Sequence, residues 1–255
     1  MARKTVRPLL GKLAPDDPFF GIVKDAYRVF RYPTPDKTGV CENCCMDPRV
    51  EADFWGPDIH EMPLHYVRDW YNAACEPEGV SQAVWGYLLP RVLEILASGQ
   101  DVADVGKEVS LARFASGQPK NWSKAQWDVL DRFQRAYLER DARAGTSVLL
   151  DDTLCMFALG GWPLEALFQQ ITDLPDDVLA QRFWLDWCDW GLSGREAIWI
   201  TAFWPDGLKD RVVGFYAAPE LHARMEALAL SDQAPDDVAQ KASAVAQVIE
   251  HHSIA

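Results

Sequence analysis

The segment from Ser81 to Ala97 constrains the fold more than any other. Val84, Trp85, Tyr87, Leu88, Leu89, Val92, Leu93, Ile95 and Leu96 cover almost the whole circumference of a helix drawn over it. Only Gln82, Gly86, Pro90 and Glu94, spaced by four, leave a narrow interruption. A helix that is apolar nearly all round has to be surrounded by other elements, so this one belongs at the centre of a core. Pro90 lacks a backbone N–H and is expected to kink the helix or split it in two. Arg91 and Glu94 are three apart on the same helix and can reach each other. If they are buried they need one another or further partners.

Helical periodicity continues on both sides. Ser123 to Arg143 has Trp127, Leu130, Phe133 and Tyr137 on one face, and Ser123 with Gln126 has the spacing of a capping box. Asp176 to Trp190 follows Pro175, with Asp173 read as its cap, and Pro235 to Glu250 repeats the Pro-Asp-Asp-Val opening. Further helices are expected over Pro18–Phe30, Arg49–Trp55, Leu64–Ala74, Gly106–Ala115, Val148–Leu159, Pro163–Ile171, Arg195–Phe203 and Pro219–Leu230. Arg211–Tyr216 is the one short run with β-branched and aromatic density. About a dozen short helices without a sheet pattern predict an all-α fold, either an irregular multi-helix bundle or a degenerate α-solenoid. The expected organisation is a basic N-terminal arm over residues 1–14 and a single helical domain over 15–255.

Composition bounds the function classes. The 255 residues are 49% hydrophobic and include 11 Trp and 11 Phe, which excludes a disordered chain. No apolar run approaches the length of a membrane span. The net charge is −13, with +4 in residues 1–14 and therefore −17 in the rest. An acidic body repels nucleic acid and anionic membrane surfaces and attracts a protein with a basic surface. The arm lacks the apolar run of a secretory signal and the Ser content of a mitochondrial presequence, so a cytoplasmic location is expected. Cys155 and Cys188 lie in apolar helical segments and read as core residues.

Cys41-Glu-Asn-Cys44-Cys45 is the most distinctive local pattern. A Cys-x-x-Cys loop can bring two thiolates to one tetrahedral Zn²⁺, and Cys45 or Cys75 with His60 or His65 would complete the ligand set. It is half of a zinc signature, because His60 and His65 are five apart with Pro63 between them. Free thiols in a polar loop are the alternative. Trp184, Trp187 and Trp190, with Asp186, form a second candidate, an aromatic wall with a carboxylate that would suit a small ligand. The same spacing also suits a core stripe. Asp151 and Asp152 point about 100° apart on a helix and read as its solvated start.

No catalytic set converges. The function expected from sequence is that of a non-enzymatic, acidic, all-helical interaction protein. A metal-site protein or enzyme built on the Cys41–Cys45 loop is the first alternative. A small-molecule binder using the Trp-rich segment is the second.

Overall fold

The central helix forms as one piece. In the computed structural model, which describes residues 10–41, 45–145, 148–189 and 197–254, it runs unbroken over Gln82–Ala97 with Pro90 inside it. The expected split does not occur. Ser81 caps the helix by accepting the Val84 N–H at 3.3 Å, and nearly every residue from Val84 to Ala97 is buried.

The described residues hold eleven α-helices: α1 (Phe20–Val29), α2 (Pro48–Asp53), α3 (Leu64–Asn72), α4 (Gln82–Ala97), α5 (Lys124–Ala142), α6 (Leu150–Leu159), α7 (Leu164–Thr172), α8 (Asp176–Trp187), α9 (Asp206–Tyr216), α10 (Pro219–Ala229) and α11 (Asp236–Ile254). No strand occurs among them, and an isolated antiparallel bridge joins Val40 to Cys75. The fold is an all-α multi-helix bundle. No helix among the described residues is long and apolar enough to cross a membrane.

Local chemistry explains most of the helix boundaries. Ser123 and Gln126 form the reciprocal capping box: the Ser123 N–H donates to Gln126 Oε1 at 3.0 Å and the Gln126 N–H to Ser123 Oγ at 3.4 Å. Four expectations need correction. Gly106–Ala115 is not an α-helix, because Gly106 sits at φ 142° and only a 3-10 turn over Lys107–Val109 follows. Arg211–Tyr216 is helical, the second half of α9. Asp173 does not cap α8: it ends α7, where it accepts from Gln169 Nε2 at 2.7 Å, and Pro175 occupies the cap position. Residues 197–203 are not helical, because Thr201 and Trp204 are drawn onto a buried carboxylate.

The chain divides into two compact units, one of residues 1–136 with 159–161, the other of residues 137–158 and 162–255. In the first, α3 and α4 meet through Trp70 and Trp85, stacked at 6.2 Å between centroids. Each indole N–H has an acceptor, Thr38 O at 2.9 Å and Ser116 Oγ at 2.7 Å, which removes the cost of burying it. In the second, Phe183 stacks on Trp187 at 4.3 Å with Tyr216 edge-on to both.

The interruption in the apolar surface of α4 has a use. At Gly86 a Cβ would lie 2.4 Å from the ring of Tyr32, so the absent side chain is what admits that ring against the helix. Gly86→Ala should therefore cost about 1–3 kcal/mol through overpacking. Urea denaturation of this variant, with and without Tyr32→Ala, checks it: the second substitution should recover part of the loss, and a Gly86→Ala protein as stable as the parent would refute the contact.

Candidate functional site

Eight residues beyond Gly86 on the same stripe, Glu94 closes the floor of a cleft in the first unit. One of its oxygens, Oε2, accepts three hydrogen bonds, from Tyr27 Oη at 2.8 Å, Arg91 Nη1 at 2.9 Å and Lys12 Nζ at 3.3 Å. Arg91 is fully buried, and its remaining donors go to backbone carbonyls: Nε to Met62 O at 2.9 Å, Nη1 also to Gly11 O at 2.6 Å, and Nη2 to Leu10 O at 2.9 Å. The guanidinium thus ties α4, the turn before α3 and the N-terminal segment into one rigid cluster. Burial and the Glu94 charge push the Tyr27 phenol far above its ordinary range, so it stays protonated and donates.

The walls come from α1, the segment after it, and a 3-10 turn over Ile59–Glu61. Asp58 caps that turn by accepting the His60 N–H at 2.8 Å. This places the His60 ring in a stack on Tyr27, 4.1 Å between centroids and 19° between planes. On α1, Phe20, Lys24 and Tyr27 recur at spacings of four and three and share one stripe, and Arg31, two residues past the helix end, adds a second cation to the cleft lining. The cleft has a volume of about 760 Å³, within the range of small-molecule sites.

Its charges fall into two groups. Asp25 is held by Arg28 and Arg132, each at 2.8 Å, and these guanidinium groups keep its carboxyl below the usual carboxylate range. Glu94 is neutralised by Arg91 and Lys12. Lys24 and Arg31 are exposed and have no partner among the described residues.

The cysteine loop is placed elsewhere in the same unit. The Cys41 N–H donates to Ala74 O at 2.7 Å, next to the Val40–Cys75 bridge, and the Cys75 sulfur accepts from Arg113. Cys45 is exposed, and Cys44 lies outside the described residues. His65 packs edge-on against Tyr66 at 4.8 Å, while His60 belongs to the cleft wall. Among the described residues no group of three His, Cys, Asp or Glu side chains is arranged to hold a metal ion.

In the second unit Trp187 and Asp186 are buried parts of the core. Asp186 pairs with Arg182 at 2.7 Å and accepts the Leu150 N–H at 3.3 Å. Trp184 is half-buried beneath Lys241, whose Nζ lies 5.5 Å from its ring, and Trp190 falls outside the described residues. Asp151 is not a solvated helix start. It is 4% exposed; its Oδ2 accepts from the Thr201 N–H at 2.6 Å and Trp204 Nε1 at 2.9 Å, and its Oδ1 from Tyr216 Oη at 3.1 Å. Burial still outweighs these bonds, and with the nearby Asp186 charge it pushes the carboxyl up to about 6.

Sequence reasoning singled out Arg91, Glu94 and His60 but missed Tyr27, Lys24 and Arg31. The available signal was the alternation of rings and cations along the helix expected over residues 18–30. No family model matches the chain, and no curated protein or solved structure is significantly similar to it.

Proposed function

We propose that the protein binds a small organic molecule in the cleft above Glu94. One observation carries this reading: a concavity of about 760 Å³ whose aromatic walls stand on a floor of fully engaged polar groups. Such a floor is already organised, so a ligand meets rings held in place and does not have to order them. Lys12, Tyr27 and Glu94 set the floor, with Arg91 buried behind Glu94; Phe20, Tyr32, His60 and Tyr87 present surfaces for a flat or apolar body.

Thermal-shift screening of a small-molecule library, followed by titration of the hits, tests the proposal. His60 is 48% exposed, so His60→Ala should fold normally while losing the ring stacked on Tyr27. Hits should bind His60→Ala about tenfold more weakly, the loss expected from one aromatic contact. A library without a saturating hit, or hits indifferent to this substitution, would remove the cleft as a ligand site.

A second reading is supported by charge. Net −13 favours a protein partner with a basic surface. That partner would associate more slowly as salt is added, and its binding would survive His60→Ala. Both readings place the chain in the cytoplasm, where six cysteines stay reduced.

A further inference from the structure

We infer that the ligand of this cleft is a planar ring system carrying a phosphate group. The inference rests on the reading of the cleft as a small-molecule site and adds the chemistry of its occupant. It starts from Phe20, Lys24 and Tyr27 on α1 and Arg31 just past it, which give the cleft a ring and a cation in alternation along the chain. Rings at this spacing offer faces on which a planar body can stack. The cations are the sharper observation. Two of the three acidic groups lining the cleft are paired with cations, Asp25 with two arginines and Glu94 with Arg91 and Lys12, and the third, Asp58, caps the turn over Ile59–Glu61. Lys24 and Arg31 are left over, in a chain whose net charge is −13.

Two uncommitted cations at the edge of one cleft match a dianion better than a carboxylate. Lys supplies a point charge, and the Arg fork fits two phosphate oxygens. Lys24 stands on α1 and Arg31 two residues past its end, and both line the same cleft. Tyr27 lies between them in the chain, with His60 stacked on its ring. A ring bound near that stack would carry its phosphate outward to the cationic edge. Inorganic phosphate alone would forgo the ring contacts, and an uncharged ring would forgo the cations.

Calorimetric titration of the full chain with adenosine monophosphate, phenyl phosphate, adenosine, benzoate and inorganic phosphate tests this. The two ring phosphates should bind at least about tenfold more tightly than adenosine, benzoate or phosphate alone, and added salt should weaken them. Lys24 and Arg31 are exposed, so Lys24→Glu with Arg31→Glu should leave the fold intact, which circular dichroism confirms. The pair should cost the ring phosphates about a hundredfold in affinity and leave any neutral hit from the library unchanged. Ring phosphates that bind no better than their uncharged or ring-free counterparts would overturn the inference, as would an unaltered affinity in the double variant. If library compounds of other chemistry bind and respond to His60→Ala, the phosphate inference falls alone. If nothing binds, the cleft reading falls with it.

Discussion

Arg91→Ala should destabilise the first unit by about 3–5 kcal/mol, the usual cost of removing one member of a buried ion pair. The substitution strips Glu94 of its main counter-charge and leaves the Leu10, Gly11 and Met62 carbonyls without their donor. Arg91→Lys should be nearly as damaging, since one ammonium on a shorter stem cannot serve four acceptors spread around a planar fork. Urea denaturation measures the loss. Limited trypsin digestion gives an independent readout: Lys12 is 27% exposed in the intact protein, and cleavage after it should accelerate when Leu10 and Gly11 are released. An alanine variant with the parent's denaturation midpoint and an unchanged digestion pattern would contradict the clasp.

Asp151 predicts the second large effect, in the other unit and with a definite sign. Its carboxyl titrates at about 6 when folded against about 3.9 in an unfolded chain. Between those values the folded state binds more protons than the unfolded state, so this group makes stability fall as pH rises from about 4 to about 6. The penalty is complete above pH 6 and amounts to about 3 kcal/mol, one pKa unit being about 1.4 kcal/mol. Asp151→Asn removes the titration while keeping an oxygen for the Thr201 and Trp204 N–H groups, and Tyr216 can turn its hydroxyl to accept from the new amide. The stability difference, variant minus parent, should grow by about 2 kcal/mol between pH 4 and pH 7. The difference is the proper readout because Asp25 and Asp206, whose carboxyls are held low by their Arg and Lys partners, act with the opposite sign in both proteins. Parallel pH profiles for the two proteins would refute the assignment.

Much of the fold was legible because helices announce themselves locally. The α4 pattern required burial on all sides, the Ser123–Gln126 box marked the start of α5, and the two Pro-Asp-Asp openings mark the starts of α8 and α11. The errors share a cause, which is that distant partners override local preference. Residues 197–203 have helical character by pattern, yet Asp151 claims the Thr201 N–H from 50 residues away. Pro90 has a breaker's chemistry, but burial along the rest of α4 keeps the helix whole.

The site was legible in its least obvious part and hidden in its most accessible. Arg91 and Glu94 stood out because charge is costly on an apolar helix. Lys24, Tyr27 and Arg31 did not, because cations and a tyrosine on an amphipathic helix are ordinary. Only the three-dimensional placement of His60 against Tyr27, and of Glu94 beneath it, brings them together at one cleft. The cysteine loop drew attention by its rarity, and its Cys44 lies outside the described residues.

The Arg91 clasp also orders the assembly of the molecule in time. Its bonds to Leu10 and Gly11 span 81 and 80 residues, so they cannot form while the N-terminal segment is being synthesised. Those residues must wait, unanchored, until α4 has emerged and wound into a helix around which the rest can settle. Closing a loop of that size carries a high entropic cost, which only a structured α4 can offset. Leu10 and Gly11 are thus among the last of these residues to be fixed, and the part of the floor that Lys12 contributes is completed only at that final step.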